Sequence, residues 1–292
     1  MSLLDCLPDQ AAMRAAFYHQ LQTLCQPVAA SPQPDVALSV GLETEYLLID
    51  AQGQLITEQQ RNALLEHLPD ASAELGCSML ETHTRPVPIV DSHGGLLTEA
   101  QQVERHARSV ATAQGYRLVR LGTYPGCLDD ICISRYPDRY RLLLETCMFL
   151  RHPDRPVQAG NITLPDDPAI VMGASLATHL NIQLPAGPTA ITWLNRSIEL
   201  MPYLVALAVN SPLLECRDSG YHEIRTPLWK AIFDFAYAEA TLGVPATRVG
   251  IRPAYYRDWQ DYWSDVGDKL FLLGQPEQAL AINMKTSGGP YG

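Results

Sequence analysis

Two glutamates two residues apart, Glu43 and Glu45 in the run Val40-Gly41-Leu42-Glu43-Thr44-Glu45-Tyr46-Leu47-Leu48-Ile49, carry the strongest chemical signal in this sequence. On a strand, residues two apart leave the same face, here roughly 7 Å from each other. At an effective dielectric of about 20, two carboxylates at that separation repel by roughly 2 kcal/mol. A cation or an arginine must offset this, and a divalent metal is the economical answer. The competing reading is an amphipathic strand with a solvated acidic face. Leu47 and Ile49 continue the glutamate face, which turns apolar within one residue pair, so the carboxylates are expected to line a cavity.

Three further segments hold groups suited to the same chemistry. Glu74 and Glu81 form a second acidic pair, with His83 on the strand parity of Glu81. Hard cations such as Mg2+ take oxygen ligands, a few carboxylates together with water and substrate phosphates, so acids from separate strands suit a nucleotide-linked metal site. In Thr178-His179-Leu180-Asn181-Ile182-Gln183, His179, Asn181 and Gln183 share one face, either as a hydrogen-bonded cavity lining or as metal and substrate ligands. The fourth segment joins Asn210-Ser211-Pro212-Leu213 to Gly220-Tyr221-His222-Glu223-Ile224-Arg225-Thr226-Pro227-Leu228-Trp229. Arg225 could grip a carboxylate or phosphate with two parallel hydrogen bonds, or serve only as an ion-pair partner of Glu223.

The elements that must position these groups are readable from periodicity and breakers. Helices are expected over 9–25, 58–68, 96–114, 135–151 and 190–210, and strands over 36–49, 78–84, 116–123 and 176–184. The order is mixed, without regular βαβ alternation or a glycine-rich phosphate loop. The fold class expected is therefore α+β, a largely antiparallel sheet flanked by helices, with residues 1–292 forming a single catalytic domain.

Composition narrows the partners. The 292 residues include 21 Lys+Arg against 32 Asp+Glu, a net charge of −11 that repels a phosphate backbone, so no nucleic acid is expected. Seven scattered cysteines with no CxxC pair read as reduced thiols without a catalytic part. No basic segment with an apolar run opens the chain and no stretch of about 18 apolar residues occurs, so neither membrane nor secretion is expected and the location is cytoplasmic.

In this order, the four segments resemble the glutamate-cysteine ligase family and the related carboxylate-amine ligases. The family strand GxExE is met by Gly41, Glu43 and Glu45, and its acidic pair seven residues apart by Glu74 and Glu81, with Thr84 and Pro86 trailing. His179-Leu180-Asn181 is similar to the family's HxN strand. Asn210 to Leu213 and Gly220 to Trp229 resemble its NSPF and GYxSxRxxIW segments, and Arg135-Tyr136 its RYxxL helix.

The resemblance implies a curved sheet similar to the catalytic domain of glutamine synthetase. It also implies an ATP- and Mg2+-dependent ligase that forms an amide through an acyl phosphate, from glutamate or a similar amino acid and an amine or amino acid such as cysteine. Glu43, Glu45, Glu74, Glu81 and His179 would hold metal, and Glu43, Glu45 and Arg225 would serve catalysis, with Arg252 able to assist. Arg225, Asn181, Tyr221, Trp229 and Arg135 would bind substrate. Partners would be the small-molecule amino acid and amine, with a homodimer left open. Late in the chain the family carries Glu-x-Arg, where this sequence has Asn283 and Lys285. That departure motivates the alternative of a diverged relative that binds amino acid or nucleotide without ligase turnover. A phosphagen-type kinase on a similar sheet is a third reading.

Overall fold

In the computed structural model the described residues are 7–28, 38–134, 150–151, 157–165, 167–185, 187–247, 254–272 and 274–280. The first helix, α1 (Gln10–Val28), starts where the Asp9 carboxylate accepts the amides of Ala11 and Ala12. After it comes β1 (Ser39–Ile49), the strand of the paired glutamates.

A capping box opens α2 (Glu58–Leu65): the Thr57 hydroxyl accepts the Gln60 amide and the Gln60 side chain accepts the Thr57 amide. Three short strands follow, β2 (Ala71–Ala73), β3 (Met79–His83) and β4 (Val87–Pro88), then α3 (Ser92–Ala113) and β5 (Arg117–Val119). Gly115, with φ at 84°, turns the chain out of α3 in the left-handed conformation that a helix end favours.

β1 is the central strand, and both its edges are paired antiparallel. One edge takes β3 along Glu43 to Leu47 and β4 at Ser39 and Val40. The other takes β5 at Leu47 to Ile49 and β8 (Thr178–Ile182) along Val40 to Thr44, while β2 adds to the far side of β3. Six strands thus join in one antiparallel sheet with helices packed against it, the α+β arrangement expected. The short β2 was not anticipated, since three residues of Ala-Ser-Ala carry almost no strand signal.

The two faces of β1 go to different surroundings. Tyr46 and Leu48 pack with Leu80, Leu118, Leu64 of α2 and Ala107 and Ala111 of α3, which closes that face. On the glutamate face, Leu47 joins Met79 and Leu176, with Ile49, Val119 and Tyr124 against them. The apolar turn of that face expected from Leu47 and Ile49 is therefore present.

Beyond the sheet come the hairpin of β6 (Gln158–Ala159) and β7 (Ile162–Thr163), then α4 (Pro168–Gly173) and α5 (Pro188–Leu207). β9 (Leu213–Leu214) and β10 (Arg217–Asp218) form a second hairpin. Next are α6 (Arg225–Phe233), α7 (Ala236–Leu242) and α8 (Trp259–Gly267).

Leu214, Ile224, Leu228, Ile232 and Phe235 share a core with Leu128 and Ile162, while α1 and α8 meet through Met13, Phe17 and Val266. Residues 135–149 of the helix expected over 135–151, and the positions of Arg135, Tyr136, Arg252, Asn283 and Lys285, lie outside the described residues. Among the described residues no helix is long and apolar enough to cross a membrane.

Among the described residues, Arg61 of α2 is the largest fully buried side chain. One of its terminal nitrogens donates to the carbonyls of Glu74, at 2.9 Å, and Gly76, at 3.0 Å, and the other meets the Glu58 carboxylate at 3.2 Å. The turn between β2 and β3, which carries Glu74, is thus pinned from inside. Arg61→Met would leave these buried carbonyls without a donor, at a cost of about 2 kcal/mol or more. Urea unfolding should show a lowered midpoint, and an unchanged midpoint would contradict this role for Arg61.

Candidate metal and substrate site

Antiparallel pairing gathers the acidic residues. Glu43 stands opposite His83 on one side and His179 on the other, and Glu45 stands opposite Glu81, which in turn faces Ser72. Paired residues project from the same face of a sheet. Three separate stretches of sequence therefore deliver Glu43, Glu45, Glu81, His83 and His179 to one surface.

The distances are those of a cluster rather than of scattered charges. The Glu43 carboxylate lies 3.5 Å from His179 Nδ1 and 3.9 Å from His83 Nδ1. Glu81 lies 3.8 Å from His179 Nδ1 and 3.9 Å from His83 Nε2. Two triads could each hold a cation, Glu43 with Glu81 and His179, and Glu45 with Glu74 and Glu81, the ligand atoms of each falling within 4.8 Å of one another. Glu81 belongs to both. All five residues expected to hold metal are thus brought together.

This crowding has an electrostatic cost. Burial pushes the Glu45 carboxyl up to about 7, with the nearby charges of Glu74 and Glu43 adding to the rise. The Ala177 amide, 2.6 Å from its oxygen, and the Arg225 guanidinium pull the other way. Glu81 is raised to about 8, first by burial and then by Glu74, Glu43 and Glu45. A dication would remove the repulsion, and a set of carboxylate oxygens with a single imidazole suits a hard ion such as Mg2+ or Mn2+.

Arg225 opens α6. The Glu223 carboxylate accepts the Thr226 amide at 3.1 Å through both oxygens, and so holds the start of that helix. Among the described residues, no carboxylate lies within ion-pair distance of Arg225 and its Nε has no hydrogen-bond partner. Burial pulls the Arg225 guanidinium below its ordinary value, and the charges of Glu45 and Glu223 act against that. It sits over the ring of Trp229, 5.9 Å from its centroid, and Trp229 stacks on Phe233 at 5.2 Å. Trp229 thus supports Arg225 from below.

Asn181, opposite Gly41, lines a groove of about 400 Å3 with Glu43, His83, Thr84 and Gln183. Gln183 accepts the amide and the hydroxyl of Ser39 there. Tyr221, 45% exposed, lies against Gly160, whose φ of 60° and close approach leave no room for a side chain. Another hollow of about 480 Å3 beside α1, lined by His19, Gln20, Thr23, Leu24 and Leu280, holds no cluster of acids.

Sequence reasoning missed the parts played by His83, the Ala177 amide and Arg61. His83 had a signal in its parity with Glu81, and the Ser72 hydroxyl lies 3.0 Å from its Nε2. The other two left none, because a backbone amide and an arginine on a short helix gain their meaning only from packing.

Comparison with known proteins agrees with this geometry. A protein provisionally named glutamate–cysteine ligase 2-1 from Nocardioides sp. is 28% identical over 203 residues, 65% of this chain and 47% of the relative. A relative of the same provisional name from Rubrobacter xylanophilus is 28% identical over 207 residues, 66% of this chain and 46% of its own. The chain thus spans about half the length of the curated relatives it matches. A solved structure described as apo GmaS without ligand covers 96% of this chain and 69% of its own at 13% identity, with a TM-score of 0.34, too low to carry an argument. The profile of glutamate-cysteine ligase family 2 matches residues 39–270, which contain every member of the two acidic triads together with Arg225, and this chain belongs to that family.

Proposed function

We propose that this chain is an ATP- and Mg2+-dependent carboxylate-amine ligase that activates the carboxyl of glutamate or a similar amino acid as an acyl phosphate and joins it to an amine, with cysteine as one such amine. The observation that carries the reading is the pair of triads sharing Glu81, since two hard cations beside each other suit a triphosphate and its transfer.

Glu43, Glu81 and His179 would hold one ion and Glu45, Glu74 and Glu81 the other. Bound there, the metal supplies charge neutralisation at the phosphate oxygens during transfer. The chain's own residues do the positioning. His83, hydrogen-bonded to Ser72, orients against Glu43, and the Ala177 amide fixes one oxygen of Glu45. Arg225, already desolvated over Trp229, costs little further reorganisation when it grips an anionic group. Asn181 and the groove beyond Glu43 would take the remainder of a substrate. Substrate contacts of Tyr221 and Arg135, and the assistance of Arg252, belong to the same proposal.

A screen of amino-acid and amine pairs for Mg2+-dependent ADP release tests the reading, with hydroxylamine added to trap an acyl phosphate as a hydroxamate. Release that requires an amino acid, with hydroxamate formed, is expected. ADP without hydroxamate would favour a phosphagen-type kinase, and binding without ADP a non-catalytic relative.

Three outcomes follow for the site itself. Glu43→Gln and Glu45→Gln should each lower turnover at saturating Mg2+ by at least about a hundredfold, ~2.7 kcal/mol of barrier, while the far-ultraviolet spectrum stays that of the wild type. Turnover at the wild-type rate in either variant would sink the metal assignment.

Arg225→Lys keeps the charge but loses the planar grip, so kcat/KM should fall about tenfold or more, ~1.4 kcal/mol. An effect on melting temperature alone would make the residue part of the scaffold.

Without divalent metal, stability should also depend on pH. A carboxyl whose folded-state pKa stands above its unfolded value binds its proton more tightly in the fold. Its contribution is therefore full below about pH 4.5 and lost as pH rises through about 7 for Glu45 and about 8 for Glu81. Tm should fall across that window, and saturating Mg2+ should restore it. A flat profile, or no response to Mg2+ at pH 8, would remove the support that the buried carboxylates lend.

A further inference from the structure

The turn that carries Glu74 continues into Cys77, whose side chain is buried, and the chain 55 residues later brings the exposed Cys132 against it. The two sulfurs are 2.6 Å apart. The backbone holds them in register: the Cys77 amide donates to the Cys132 carbonyl at 2.8 Å, Gly76 bridges Ile133 antiparallel, and the Ser134 amide donates to the Leu75 carbonyl at 2.8 Å. Residues directly opposite in an antiparallel pair have Cα atoms roughly 4.5–5.5 Å apart, inside the range of about 4.4–6.8 Å that a disulfide spans. Neither sulfur belongs to the acidic triads, and the pairing is not visible in the sequence, where the two cysteines lack any motif spacing.

From this placement we infer that Cys77 and Cys132 form a dithiol site that exchanges with small-molecule disulfides and closes into a reversible intrachain disulfide behind the Glu74 turn. Cys132, the exposed partner, is met first. Its thiolate attacks one sulfur of an external disulfide RSSR, forming a mixed disulfide and releasing one RS−. Cys77 then attacks the Cys132 sulfur, loses its proton to water and releases the second RS−, which takes up a proton. The balance is two protein thiols and RSSR giving one protein disulfide and two RSH. Burial, with the neighbouring Cys132 adding to it, pushes the Cys77 thiol above its ordinary value, so its attack on the mixed disulfide is the slower of the two steps.

The closed bond adds a covalent tie between the segment ending at Ser134 and the turn that Arg61 already holds through the Glu74 and Gly76 carbonyls. Because the backbone is in place beforehand, closure tightens this region without rearranging it. The inference does not depend on the ligase reading, since its readouts are thiols, peptides and stability rather than turnover.

The test is equilibration of the native full chain with oxidised glutathione at neutral pH, followed by thiol titration in denaturant, intact mass and non-reducing peptide mapping. The expected result is the loss of two thiols, a mass lower by two hydrogens, and a peptide joining Cys77 to Cys132 that dithiothreitol releases. Tm should rise by at least about 5 °C, because a loop of this length is closed. Cys77→Ala should stop at a glutathione adduct on Cys132. If that variant does not fold, the wild-type map decides alone. An unchanged thiol count, a stable glutathione adduct on Cys132 in the wild type, or a linked peptide involving a different cysteine would overturn the inference.

Discussion

Mutual repulsion among Glu43, Glu45, Glu74 and Glu81 is the constraint to which the rest of this structure answers. Four carboxylates on one partly buried surface cannot all ionise cheaply where solvent is thin, and burial together with the neighbouring charges raises Glu45 and Glu81 above the ordinary carboxylate range. A protein selected only for stability would scatter these acids over a solvated face. Here the chain keeps them together and applies small local corrections, the Ala177 amide on Glu45 and the Arg225 guanidinium at a distance, which leave most of the repulsion for something else to neutralise. Such stored electrostatic strain is characteristic of sites built to receive charge.

The scaffold meets this constraint from two directions. On the closed face of β1, the packing of Tyr46 and Leu48 against α2 and α3 makes the strand rigid, so the glutamates opposite cannot spread apart by bending it. Beneath the Glu74 turn, Arg61 places a cation inside the protein but spends it on backbone carbonyls and Glu58, not on the cluster. Arg225 is the complementary case, a partly buried cation near the acids whose buried Nε has no hydrogen-bond partner among the described residues. One arginine builds the site, and the other faces it.

How much of this was legible depends on the range of the interaction. The parity of Glu43 and Glu45, and the apolar continuation through Leu47 and Ile49, are properties of a single strand and were readable from adjacent residues. The face shared by His179 and Asn181 was readable for the same reason. The motif spacings of Glu74 with Glu81 and of Gly220 to Trp229 carried the family resemblance, which the profile match over 39–270 bears out. Boundaries were less secure. α3 begins at Ser92 and runs through Gly94 and Gly95, because glycine weakens a helix without forbidding it and packing against the sheet decides the outcome.

What the sequence by itself determined, then, was the set of chemical groups and the local direction of each: acids on alternate positions of β1, an imidazole and an amide on one face of β8, an arginine just after Glu223. Those follow from the two-residue period of a strand and from residue type, and no distant contact can alter them. Only the tertiary structure decided the register. Opposing Glu45 to Glu81 and Glu43 to both His83 and His179 requires β1 to be central with partners from far along the chain on each edge, and a slip of one residue would send every ligand to the opposite face. The same holds for Arg61 under the Glu74 turn and for Cys77 against Cys132. Pairing energy is set by side chains that meet across the fold, and their sequence separation carries no record of it.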